Sequence, residues 1–147
     1  QALRDHAGER VWQSTHLGGH RFAGTLLALP SGALYGHLDS EDVPALAHAE
    51  ANGRLLVHRL RGRVCYTKPE QAAAIALSEY TGEAGWAALR RVHTTETQND
   101  RWQVQFDVHG EPHTVNVIAK QFGTPVYTST GDTEPSDVEI HTAQVMG

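Results

Sequence analysis

Thiols are nearly absent: the 147 residues include one cysteine, Cys65. That excludes a disulfide framework within the chain and C-x-x-C redox chemistry. Long apolar runs are missing too. The longest lie within Thr25–Leu29 and Ala72–Leu77, far short of a membrane span. Positive charge is in deficit, with Lys+Arg 12 against Asp+Glu 17 and a formal charge of -5. This balance argues against non-specific nucleic-acid binding, which needs cations to neutralise phosphates. No G-x-G-x-x-G, P-loop, H-E-x-x-H or G-x-S-x-G occurs. Asp39, Glu41 and Asp42 cluster at an expected helix start, where acids serve the dipole rather than sugar hydrolysis. Gln1–Arg10 is polar and does not read as a signal peptide. The expectation is one soluble, cytoplasmic domain with no nucleic-acid or membrane partner.

What is present is organised by glycine and alternation. Gln1–His6 reads as the end of a helix stopped at Gly8, and Val11–Thr15 as a short strand. His16–Gly19 is a loop shaped by Gly18 and Gly19. Thr25–Leu29 and Ala33–Leu38 form a hairpin across Pro30-Ser31-Gly32. Asp39 and Ser40 are N-caps for a helix to about Asn52, with Val43, Leu46, Ala47 and Glu50 on one face. Thr67-Lys68-Pro69-Glu70 is a capping box opening a helix to Tyr80, with Gly82 as its stop. That helix is expected to bury Ala73, Ile75, Ala76, Leu77 and Tyr80. In the last third, Trp102, Val104, Phe106 and Val108 alternate with polar residues, a half-buried strand. It is flanked by strands at about Ala88–Thr97 and His113–Gln121. Three segments follow: 1–82, 83–122 as an antiparallel meander packed on the same domain, and 123–147 as a mostly irregular tail.

Ten histidines are many for this length, and His16-Leu17-Gly18-Gly19-His20 is the most specific signal. On a glycine loop two imidazoles can converge on one cation, and histidines replace cysteines on one iron of some two-iron clusters. Two ligands complete neither site, and a strand end at His16 with a loop cap at His20 is the plain structural alternative. Arg21 would hold an anionic group or pair with a surface carboxylate. Arg59, Arg61 and Arg63 recur at period two and would line one strand face as a basic stripe for an acidic partner, or simply as a solvated face. Cys65, between Val64 and Tyr66, reads as a small buried hydrophobe; a nucleophilic role would need a histidine brought near by the fold. His109 and His113 flank the Gly110-Glu111 turn and would meet across a hairpin or stay exposed.

The run Val11-Trp12-Gln13-Ser14-Thr15-His16-Leu17-Gly18-Gly19-His20-Arg21-Phe22-Ala23 resembles the signature of the sucrase/ferredoxin-like family. Thr25–Leu29, Pro30, Gly32, Tyr35-Gly36 and Leu60-Arg61-Gly62-Arg63 with Cys65 continue the likeness, over roughly Leu3 to Gly82. The resemblance implies an α/β, partial thioredoxin-like ferredoxin region over 1–82, followed by the small antiparallel meander. It implies a [2Fe-2S] cluster held by two cysteines and by the histidines of H-x-G-G-H. These would be His16 and His20, with Gly18 and Gly19 shaping the loop and Arg21 beside it. The cysteine pair is not in this sequence, so the cluster is expected in a complete protein and not in this chain as given, which reads as truncated at its N-terminus. A sheet missing a strand would expose an edge and favour a homo-oligomer. The implied activity is electron transfer to an unidentified redox partner, with no catalytic residue assigned. The alternatives are a thiol- or metal-dependent oxidoreductase using Cys65 or a histidine-bound metal, and a module docking an acidic partner through Arg59, Arg61 and Arg63.

Overall fold

The capping box opens the helix that organises the molecule. In the computed structural model, which describes residues 2–15, 17, 20–127 and 132–146, α3 runs Lys68–Thr81. Glu70 accepts the Thr67 N–H at 2.8 Å, and Gly82 closes the helix at φ +72°, a conformation that glycine adopts without a Cβ clash. The buried face is Glu70, Ala73, Ala74, Leu77 and Ser78, the i, i+3, i+4, i+7 spacing of an amphipathic helix. Tyr80, expected inside, is 63% exposed, and Ile75 and Ala76 are only half-buried. The helix is turned so that its alanines and Leu77 meet the sheet.

That sheet has four antiparallel strands in the order β4-β5-β6-β7: β4 Leu89–Gln98, β5 Arg101–Val108, β6 Glu111–Gln121 and β7 Glu139–Val145. The alternation in β5 behaves as expected, with Val104, Phe106 and Val108 buried. Val104 pairs Val115 and Trp102 pairs Val117 on β6. Together with Leu89 and the α3 residues they make the main core.

The fourth strand departs from the expected irregular tail. β7 pairs β6 in register, Val115 with Val145 and Val117 with Ala143. Its inward residues are His141, Ala143 and Val145, whereas its bulkiest apolar residue, Ile140, faces out at 41% exposure. At this end of the strand polarity runs against burial, with Ile140 out and His141 in, which blurs the alternation for a periodicity reading.

The N-terminal part carries a second, smaller sheet, β1-β2-β3, all antiparallel. β1 is Leu26–Ala28, β2 Ala33–Tyr35 and β3 Leu60–Arg63, so the expected hairpin is present with shorter strands. α1, Ala2–Ala7, ends at Gly8 with φ +61°. Val11–Thr15 is not a strand: among the described residues it has no ladder partner, and Trp12 is 88% exposed. β-propensity expresses packing against a paired strand, and among the described residues no strand pairs with this segment.

α2 spans Val43–Ala51 with Asp42, not Asp39 or Ser40, as its N-cap position. Asp39 instead folds the approach, accepting the N–H groups of Glu41 at 2.8 Å and Asp42 at 3.2 Å. Leu46 of α2 packs with Ala33, Tyr35 and Leu55 in a small second core. Tyr35 is fully buried, yet its hydroxyl donates to Glu50 at 2.5 Å and accepts the Leu56 N–H at 3.3 Å. Burial and the Glu50 carboxylate push the phenol above its ordinary pKa, so it stays a donor.

The two sheets are tied through α3, which contacts β3 as well as β5, β6 and β7. A Cβ on Gly62 of β3 would lie 2.6 Å from the Gln71 side chain, so the glycine lets helix and strand approach. Gln71 donates from there to the carbonyls of Arg63 at 3.1 Å and Tyr66 at 3.0 Å. The arrangement is a mixed α/β one, compatible with a partial thioredoxin-like region followed by a meander. No helix among the described residues is long and apolar enough to cross a membrane.

Candidate functional site

The glycine loop leads into a short 3-10 turn, His20–Phe22. His16, Gly18 and Gly19 lie outside the described residues, as does the placement of the His20 side chain. The residues that follow are held by backbone hydrogen bonds. The Phe22 carbonyl accepts the His37 N–H at 2.8 Å, and the Gly24 carbonyl accepts that of Leu38 at 3.1 Å. These bonds tie the chain after the loop to the end of β2.

The Phe22 ring is the centre of this base. The Arg61 guanidinium carbon lies 3.9 Å from the ring centroid and that of Arg21 lies 4.7 Å from it. The His37 ring meets it edge-on at 5.5 Å. Cation–π attraction accounts for the arginine placement. Gly36 makes the approach possible: a Cβ there would sit 2.6 Å from Arg61 Cδ and 3.1 Å from Phe22 Cβ. The Gly36 N–H bonds the Arg59 carbonyl at 3.0 Å, holding β3 against this corner.

The three arginines expected as a stripe have three different environments. Arg59 precedes β3 in a 3-10 turn and pairs with Asp42 at 3.0 Å and Asp39 at 3.6 Å. The Asp39 N–H at 3.0 Å and this guanidinium hold the Asp42 carboxyl below the usual carboxylate range. Arg63 donates to the carbonyls of Ser31 at 2.8 Å and Trp86 at 2.9 Å, pinning the hairpin to the loop before β4. Among the described residues Arg61 alone of the three has a buried nitrogen, Nη1, without a hydrogen-bond partner. Burial, with Arg21 nearby, lowers its pKa. Alternation in sequence signalled none of this; the glycines at 36 and 62, each beside a large side chain's path, are the available clue.

The other sequence candidates are separate from this corner. Cys65 is exposed, contrary to the expected buried hydrophobe, because it falls in the turn between β3 and α3. His109 and His113 do not meet: His113 is opposite Phe106 in the β5–β6 register, and His109 lies 2.6 Å from Glu83. Among the described residues no group of three or more His, Cys, Asp or Glu side chains is placed to hold a metal ion.

Compared with known proteins, residues 1–62 match the sequence model of the sucrase/ferredoxin-like family. The match includes the whole H-x-G-G-H run, the Phe22 corner and most of β3. No curated protein and no solved structure matches the chain.

Proposed function

We propose that this chain, sucrase/ferredoxin-like over residues 1–62, belongs to an electron carrier in which His16 and His20 hold one iron of a [2Fe-2S] cluster. The observation that carries this reading is the H-x-G-G-H run inside the matched segment. Bound, the cluster would supply reversible one-electron chemistry. Two neutral imidazoles suit iron, but four ligands are required and the sequence contains one cysteine, exposed Cys65. On this reading the other two ligands would be thiolates that these residues do not supply.

This chain's own part is to present the two imidazoles and to fix the loop that carries them. On this reading Gly18 and Gly19 would give the backbone the freedom to bring residues 16 and 20 together. Phe22, held by His37 and packed by Arg61, anchors the loop's exit. Arg21 places a permanent cation next to His20. Iron and acid-labile sulfide, measured on the anaerobically purified natural gene product, test the reading. About two of each per chain, lost in His16→Ala and His20→Ala, is the expected result. A protein without iron, or one whose iron is indifferent to both substitutions, overturns it.

A further inference from the structure

An open cleft of about 1110 Å³ runs beside the Phe22 corner, with Arg21, His37, Arg61 and Lys68 on its lining. Its charges are unevenly matched. The Arg59 guanidinium on the same lining is neutralised by Asp42 and Asp39, and Glu139 faces His141 at 3.3 Å. Glu79 on α3 and Asp137 before β7 bring negative charge to the lining from other elements. Arg21 and Arg61 form no ion pair among the described residues, although both guanidinium groups approach the same ring.

We propose that Arg21 and Arg61 form an oxyanion-binding site at the Phe22 end of this cleft, taking a small ligand through a phosphate or carboxylate group. Two like charges beside one ring repel each other, and Arg61 is partly withdrawn from water, its buried Nη1 lacking an acceptor among the described residues. A bound anion offsets that repulsion. Planar guanidinium forks suit the paired oxygens of phosphate and carboxylate, and the ring beneath them limits their motion. Gly36 is required because the Arg61 stem crosses the space that a Cβ would fill. The site needs only residues described in the fold and does not depend on a cluster.

Titration with inorganic phosphate and, separately, with acetate tests this, read by the side-chain Nε–H resonances of Arg21 and Arg61 and by calorimetry. Saturable binding of either anion, weakened about tenfold or more by Arg21→Gln and by Arg61→Met, is the expected outcome. The tighter of the two anions identifies the ligand group. Arg21 is exposed, so its substitution leaves the fold intact and decides the matter should Arg61→Met not fold. Absence of saturable binding, or binding unchanged in Arg21→Gln, overturns the proposal.

Discussion

A Cβ on Gly36 would lie 2.6 Å from Arg61 Cδ, so the absence of a side chain at one position fixes the course of a cation at the other. The contact joins the end of β2 to β3 under the Phe22 ring. Gly36→Ala is expected to cost about 1–3 kcal/mol through overpacking. In an Arg61→Ala background the cost should shrink by more than half, since the obstructing stem is gone. Urea denaturation of the double-mutant cycle measures this, and full additivity would show that the two residues do not meet.

Glu70 joins the start of α3 to the meander. Its carboxylate accepts the Thr67 N–H at 2.8 Å and the Thr94 hydroxyl at 2.6 Å, with Arg91 at 3.3 Å. Burial alone would raise its pKa, but these donors outweigh it and hold the group below its ordinary value. Glu70→Ala should destabilise by about 1–3 kcal/mol, from the lost cap and stranded donors. A change under 0.5 kcal/mol by chemical denaturation would contradict the assigned role.

Acid should weaken the fold through Glu83. The His109 ring at 2.6 Å and the Gly85 N–H at 2.5 Å hold its carboxyl below the usual range. A carboxyl whose folded pKa is depressed adds stability above its unfolded pKa, near 4, and loses it as pH falls through the folded value. Thermal midpoints should therefore drop below about pH 4, and Glu83→Gln should make that drop shallower. An identical slope in the variant would remove Glu83 from the account.

Two aromatic truncations separate the core from the surface. Phe106 is fully buried between α3 and the sheet, so Phe106→Ala should cost about 3–5 kcal/mol. Trp12 is 88% exposed, so Trp12→Ala should stay within about 0.5 kcal/mol. Comparable losses by calorimetry would mean that Val11–Thr15 is packed after all.

Much of this architecture is legible in the residues themselves. The Thr67–Glu70 capping box, the Gly82 stop and the alternation of β5 are local signals, and each element forms where those signals are strongest. Two of the failures are of one kind. Trp12 has strand propensity but no neighbouring strand among the described residues, while Glu139–Val145 has a neighbour but shows its largest apolar residue to solvent. In both cases a partner distant in sequence decides the outcome. The arginines of β3 fail likewise: their period of two is visible, but Asp42, the Ser31 carbonyl and the Phe22 ring assign each its role. The histidine loop is the reverse case, since the signal is in the run of residues and the cluster proposed for it would need ligands beyond the two histidines.

The most direct measurement is pulsed electron paramagnetic resonance on the reduced natural gene product, read for nitrogen bound to iron. The account predicts two nitrogen couplings, one lost in His16→Cys and the other in His20→Cys, with both variants retaining a cluster. A reduced cluster without nitrogen coupling, or couplings unchanged in both variants, would contradict it.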